Sequence, residues 1–223
     1  MAALLAELLA VLPQTQCTRC GFPSCEAYAQ AISQKTAGIN QCPPGGAQGI
    51  VWLAALTGQP ITGLNPVHGT EGPRTVAFID EDWCIGCTLC IKACPTDAIL
   101  GSNKHMHTVI EAYCTGCELC LPVCPVDCIE LENVTGHATG WAAWSRPQAD
   151  LARDRYEFSS YRRARDEGEN NKRLEEKALL KLADLPAHSQ HTDPATLTKK
   201  RAVIEAALAR ARAKRDVGPG TTP

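Results

Sequence analysis

Apolar and polar positions follow three regimes along this chain. Leu4, Leu5, Leu8, Leu9 and Leu12 recur at helical spacing and predict an amphipathic helix over the first dozen residues, packed by one face. Ala27–Ile32 suits a short helix, and residues 47–56 predict another that ends at Gly58. Residues 58–74 hold four Gly and three Pro, follow neither period and read as a linker. A period-two regime follows. Val76–Asp80 and Thr108–Ala112 predict short strands, as do Asp97–Leu100 and Asp127–Leu131. After residue 145 the helical period returns in a highly charged setting, predicting helices at about 148–183 and 194–214. Pro186 and Pro194 bracket the break between them, and Asp193-Pro194 has the form of an N-cap followed by proline at the first helical position. On the last helix Leu197, Val203, Ile204, Ala207, Leu208 and Ala211 fall near one face, with Lys and Arg around it.

The chemistry is concentrated in the cysteines, of which there are thirteen. Eight stand in two copies of one phrase: Cys84-Ile-Gly-Cys87-Thr-Leu-Cys90-Ile-Lys-Ala-Cys94-Pro95 and Cys114-Thr-Gly-Cys117-Glu-Leu-Cys120-Leu-Pro-Val-Cys124-Pro125. This is the C-x2-C-x2-C-x3-C-P run of bacterial ferredoxins that bind two [4Fe–4S] clusters. A loop carrying cysteines two residues apart can wrap three iron corners, while the fourth corner faces away and needs a distant ligand. In this motif the fourth cysteine of each run serves the other cluster. The expected ligand sets are therefore Cys84, Cys87, Cys90 and Cys124 for one cluster, and Cys94, Cys114, Cys117 and Cys120 for the second. Zinc ribbons pair two short knuckles rather than runs of four followed by proline. Disulfides would need an oxidising compartment, and no export signal is evident. The two runs lie 30 residues apart, and the offset also aligns Trp83 with Tyr113, Asp97 with Asp127 and Ile99 with Ile129. Such an internal repeat predicts a pseudo-twofold ferredoxin fold. It aligns Cys128 with Ala98, so Cys128 reads as a small buried apolar residue rather than a ligand.

Four further cysteines, Cys17, Cys20, Cys25 and Cys42, precede this unit among turn-forming Gly and Pro residues. Their spacing alone leaves iron–sulfur and zinc chemistry both open. The run from Gln14 to Ala29 (Gln-Thr-Gln-Cys-Thr-Arg-Cys-Gly-Phe-Pro-Ser-Cys-Glu-Ala-Tyr-Ala), then Asn40-Gln-Cys-Pro-Pro-Gly-Gly46, then the dicluster unit with Met106-His-Thr-Val109 between its runs, resembles the B subunit of the Rnf (Rsx) electron transport complex. The resemblance covers about residues 8–135. It implies that Cys17, Cys20, Cys25 and Cys42 bind a [4Fe–4S] cluster, giving three clusters in all and leaving Cys128 unassigned. It also implies an electron-carrying subunit of a complex that couples electron flow between ferredoxin and NAD(H) to ion movement, with the other complex subunits as partners.

The expected class is α+β. A small helical four-Cys module spans 1–57, a linker 58–74, a dicluster ferredoxin domain 75–135 and a charged helical tail 146–223. Charge divides along the same line: residues 1–145 carry 5 Lys and Arg against 12 Asp and Glu, and residues 146–223 carry 17 against 12. An acidic redox half is steered towards basic docking surfaces. The basic tail reads as a solvated helix, a strap on the cluster domain, or a contact to a partner or an acidic lipid surface. Nothing besides that tail points to nucleic acid. The apolar start is shorter than a membrane span and lacks a positive leader, so neither a transmembrane segment nor a signal peptide is expected. A cytoplasmic protein, peripheral on the inner membrane, follows from the resemblance. No nucleophile–base pair, phosphate loop or dinucleotide fingerprint is present, so no catalytic residue and no substrate site of its own are expected. Two other readings stay open: a soluble polycluster ferredoxin serving another reductase, and an iron–sulfur redox sensor with a partner-binding tail. His105 and His107 read as surface or packed residues.

Overall fold

A computed structural model describes residues 2–216; the expected tail's last residues, 217–223, lie outside them. The chain divides into two compact units, one through Ser160 and one from Tyr161.

The first unit opens with α1 (Ala2–Ala10), α2 (Cys25–Ser33) and α3 (Gly46–Thr57). Their packing follows the apolar stripes of the sequence. Leu8 and Leu12 are buried with Tyr28, Ile32, Ile50 and Leu53, although Leu12 lies past the end of α1. Ser24 caps α2 by accepting from the Ala27 N–H at 3.0 Å, an arrangement worth about 1 kcal/mol. Gly58 closes α3 in the left-handed conformation that favours glycine, its N–H donating to the Ala54 carbonyl. Residues 58–74 are tied down rather than loose. Asn40 donates to the Gly63 carbonyl at 2.8 Å and accepts from the Asn65 N–H through its own carbonyl. Glu71 reaches the N-terminus of α3, accepting from the Ala47 N–H at 2.8 Å, and its other oxygen accepts from the Thr139 hydroxyl at 2.8 Å. A carboxylate there satisfies an orphan N–H and complements the helix dipole.

Two small antiparallel sheets follow. β1 (Thr75–Ile79) pairs with β4 (Ile129–Asn133), and β2 (Ile99–Leu100) pairs with β3 (Thr108–Val109), with α4 (Leu89–Ala93) in the first half. First pairs with last and second with third, as a pseudo-twofold unit requires. β2 and β3 are shorter than their alternation suggested and β4 is displaced by two residues, for local reasons. Asp97 and Asp127 have φ of 50° and 49°, so β2 and β4 begin two residues later than expected. The third strand stops at Val109 because Glu111–Tyr113 winds into a 3₁₀ turn that delivers Cys114.

No element was expected over residues 136–147, and the helix expected from about 148 begins at Arg146; together residues 136–160 bind the two halves of this unit. The Trp141 ring stands 5.1 Å from that of Trp52 on α3. Trp144 is buried and donates its indole N–H to the Pro13 carbonyl at 2.8 Å. The helix α5 (Arg146–Ala183) then starts; Arg146 donates to the Ala10 carbonyl. Arg155 donates to the Thr96 carbonyl at 3.2 Å, with its guanidinium 4.1 Å from the Tyr113 ring centre. The charged appearance of this stretch hid the role of its arginines, whose planar heads serve as carbonyl donors and ring-stacking groups.

The second unit contains the rest of α5 and α6 (Pro194–Asp216). Asp193 is the expected N-cap, accepting from the Thr196 N–H at 2.8 Å. Glu175 on α5 holds both Arg212 and Arg215 of α6, at 2.7 and 2.6 Å. Among the described residues, no helix is long and apolar enough to cross a membrane.

Candidate metal centres

The cysteine loops are built from backbone that ordinary residues avoid. Gly86 and Gly116 both have φ of 66°. A Cβ at Gly86 would come within 2.5 Å of the His105 nitrogen, and one at Gly116 within 2.5 Å of the Thr75 carbonyl oxygen. Only glycine lets these segments close on the loops. Thr88 and Glu118 repeat the pattern at φ 64° and 66°, as do Asp97 and Asp127. Three left-handed positions thus recur at the 30-residue offset. The N-terminal loop uses the same device at Gln14, Gln16 and Thr18. Each non-glycine residue held there costs roughly 1–2 kcal/mol.

That geometry turns N–H groups onto sulfur. Ala98 N–H points at Cys94 Sγ, 3.2 Å away, and Ala77 N–H at Cys114 Sγ, 3.4 Å away. Cys124 is the clearest case. Burial works against its thiolate, but the N–H groups of Val126, Cys128 and Asp127 and the thiol of Cys128 donate to it, and the balance lowers its pKa.

Two cavities lie inside the β1–β4 unit. One is faced by Cys84, Cys87, Cys90 and Cys124. The other is faced by Cys94, Cys114, Cys117 and Cys120. Each therefore meets three cysteines of one run and the last of the other, the crossed arrangement the motif predicts. The rest of each lining is mainly apolar: Ile79, Val126 and Ile129 in the first, Ala77, Ala98, Ile99 and Leu131 in the second. Cys17, Cys20, Cys25 and Cys42 form a third group. Burial raises the pKa of Cys42 well above the ordinary thiol value, and the other three lie close enough to raise it further.

The donor sets suit iron–sulfur cubanes. Four sulfurs of the two runs face each cavity, as a four-iron cluster requires, and Cys128 adds a fifth at the first. Burial pushes the thiols of Cys25 and Cys120 up to about 12, and those of Cys90 and Cys117 up to about 11, with neighbouring cysteines adding to the effect. Sulfurs in such surroundings ionise only against a strong positive charge, which iron supplies. Among the described residues, no three His, Cys, Asp or Glu side chains converge as a single metal ion demands. The sulfurs stand around a volume, not a point.

Two residues that the sequence did not single out as functional also face the first cavity. His107 is 1% exposed, with Nδ1 3.2 Å from Cys90 Sγ. Cys128 is buried, as the repeat suggested, but its Sγ lies 3.5 Å from Cys124 Sγ. Burial, then the adjacent Cys124 and Cys84, push the Cys128 thiol up to about 12, so it keeps its proton. His105 is exposed and bonds only within its own turn.

Comparison with known proteins agrees with this geometry. Residues 77–131 match the family described as 4Fe-4S dicluster domain, and residues 12–44 match the family described as putative Fe-S cluster. The B subunit of the ion-translocating oxidoreductase complex of Azoarcus sp. (strain BH72) is 55% identical over 148 residues, 66% of this chain and 80% of that protein. The corresponding protein of Thiobacillus denitrificans is 60% identical over 107 residues, covering 48% of this chain and 57% of the relative. That of Alkalilimnicola ehrlichii is 55% identical over 146 residues, 65% and 77% of the two chains. No solved structure matches the chain significantly. With crossed cysteine cavities, an N-terminal four-cysteine loop and a relative matched over four fifths of its length, the chain belongs to the B-subunit family of ion-translocating oxidoreductase complexes.

Proposed function

We propose that this chain holds three [4Fe–4S] clusters and relays single electrons through them as a subunit of an Rnf-type ion-translocating complex, on the cytoplasmic face of the inner membrane. Cys17, Cys20, Cys25 and Cys42 hold the first cluster. Cys84, Cys87, Cys90 and Cys124 hold the second, and Cys94, Cys114, Cys117 and Cys120 the third. Residues 1–57 form the N-terminal cluster module, 75–135 the ferredoxin domain and 146–223 the tail. The observation that carries the reading is the crossed lining of the two cavities. When bound, a cubane of this kind takes up and releases one electron at a time. The apolar linings keep water off the sulfurs, and the N–H groups aimed at Cys94, Cys114 and Cys124 balance the negative charge collected there. The remaining subunits of the complex are the partners, in line with the name the relatives bear.

The contacts within the first unit favour an order of electron passage. The Thr115 hydroxyl, between Cys114 and Cys117, donates to the Thr15 carbonyl at 2.9 Å. Arg19, between Cys17 and Cys20, pairs with Glu118, next to Cys117. The N-terminal loop thus sits against the Cys114–Cys120 loop, which supports an order with the third cluster between the first and the second. Arg19→Glu sets two like charges at this half-exposed contact. Freeze-quench spectroscopy of the reduced chain is expected to show slower exchange between the N-terminal cluster and the other two, by roughly three- to tenfold for ~1 kcal/mol at the contact. An unchanged rate would place the electron's route elsewhere.

Membership of the complex is tested by anaerobic fractionation of native cells. The chain is expected in the membrane fraction together with the other complex subunits. Release by a high-salt wash would assign the attachment to exposed charges. Recovery entirely in the soluble fraction, without those subunits, would replace this reading by a free polycluster ferredoxin.

A further inference from the structure

The two halves of the ferredoxin unit are related by the 30-residue offset, so each cavity can be compared with its counterpart. Around the cavity faced by Cys114, the repeat places Ala77, Ala98 and Leu131. Their counterparts in the other half are His107, Cys128 and Gly101. His107 and Cys128 both face the cavity of Cys84, Cys87, Cys90 and Cys124. The cavity of Cys114 keeps alanine at both positions. It has hydroxyls of its own at Thr96 and Thr115, but their protons go to carbonyl oxygens, those of Tyr113 at 2.8 Å and Thr15 at 2.9 Å. Thr96 Oγ1 also lies 3.8 Å from Cys94 Sγ and Thr115 also bonds to Cys117, so these hydroxyls share their protons between sulfur and a nearer carbonyl. The donors whose protons have no competing carbonyl acceptor gather at the other cavity.

The exchange is built into the packing. Ala77 pairs across the sheet with Leu131, a small residue opposite a large one. In the other half the sizes are reversed. His107 takes the large place, and a Cβ at Gly101 would lie 2.1 Å from its ring. Gly101 thus leaves the space the imidazole occupies, and the ring sits with Nδ1 3.2 Å from Cys90 Sγ. A cysteine that ligates iron carries no proton, so its sulfur can only accept. Nδ1 must then hold the imidazole proton, leaving Nε2 as a buried nitrogen without a partner. The same reasoning makes Cys128 the donor to Cys124, 3.5 Å away.

We propose that His107 and Cys128 make the second cluster the more easily reduced of the ferredoxin pair, by donating Nδ1–H to Cys90 and S–H to Cys124. The inference rests on the ligand sets proposed above. Reduction adds one electron, makes and breaks no bond, and increases the negative charge on the sulfurs. Donors aimed at sulfur stabilise that charge and raise the potential. The third cluster has neither of these donors. Electrons arriving through the first and third clusters then settle at the second, the end of the chain farthest from the N-terminal module, and leave from there to the next carrier.

The test is a potentiometric titration of the full, anaerobically purified chain with dithionite as electron source, read by electron paramagnetic resonance. The variants are His107→Leu, Cys128→Ala and the pair together. Leucine keeps bulk without a donor, and alanine is what the repeat carries at position 98. In the double variant the higher ferredoxin midpoint is expected to fall by at least the equivalent of a tenfold change in equilibrium constant, 59 mV for one electron, while the other midpoint stays in place. His107→Asn, whose amide nitrogen can stand near the place of Nδ1, and Cys128→Ser retain a donor and are expected to keep the higher midpoint. Equal movement of both midpoints, or movement of neither, overturns the inference. If the leucine variant does not fold, Cys128→Ala and Cys128→Ser still decide it. Iron content separates the layers: a loss of iron in Cys128→Ala would refute the ligand sets, whereas full iron with unmoved midpoints refutes only the tuning.

Discussion

Cys94→Ser is expected to remove the cluster built on Cys114, Cys117 and Cys120, and to leave the one built on the nearer Cys84, Cys87 and Cys90. Cys94 follows Cys90 by one short turn, so sequence proximity argues for the opposite result. The geometry decides otherwise. Cys94 faces the cavity of the second run, and its sulfur accepts from the Ala98 N–H on that cavity's wall. Cys124 faces the first cavity in the mirrored arrangement. Serine offers a hard alkoxide with a far higher pKa than a thiol, a poor ligand for a cubane corner. The purified variant should lose about one third of its iron and sulfide, given three equal clusters. Of the two ferredoxin signals, the one that persists should be the one sensitive to Cys128→Ala. Cys124→Ser should give the complementary loss. Disappearance of the near cluster in Cys94→Ser would overturn the crossed assignment.

Much of this architecture was legible because metal sites demand exact spacing. The runs ending at Pro95 and Pro125 specified cavities, crossing and pseudo-symmetry together, and Asp193-Pro194 marked the start of α6 to the residue. Strand ends were less legible, since alternation cannot show that Asp97 and Asp127 turn left-handed. Trp141, Trp144, Arg146 and Arg155 were missed because their partners lie far away in sequence: Trp52, Pro13, Ala10 and Thr96. No periodicity records such contacts. His107 was set aside for a related reason, since a histidine between two motifs carries no pattern of its own. The available signal was comparative. Aligning the halves puts His107 over Ala77, and Gly101 over Leu131, a reversal of large and small across one strand pair.

Removal of iron is expected to unfold residues 14–135, not merely to empty them. Five of the eleven buried residues in the ferredoxin core are cysteines, and its large buried aliphatics are only Val76, Ile79, Ile99 and Ile129. Against that modest core stand Gln14, Gln16, Thr18, Thr88, Asp97, Glu118 and Asp127, all held left-handed at roughly 1–2 kcal/mol each. Metal–sulfur bonds offset this cost, as in other small metallo-domains that fold only with their metal. The expected outcome of oxidative chelation is loss of hydrogen-exchange protection across 14–135 and loss of near-ultraviolet dichroism. Any residual folded fraction should weaken further as pH rises. Cys25 and Cys120 are pushed up to about 12 in the folded chain against an ordinary value of 9.0. The unfolded chain therefore releases these protons first, and stability present below pH 9 is lost as pH climbs from 9 towards 12. The iron-loaded chain, whose ligands are already deprotonated, should not share that slope. Native-like protection in the metal-free chain would show that the polypeptide holds its strained loops unaided, and that the clusters contribute electrons but not structure.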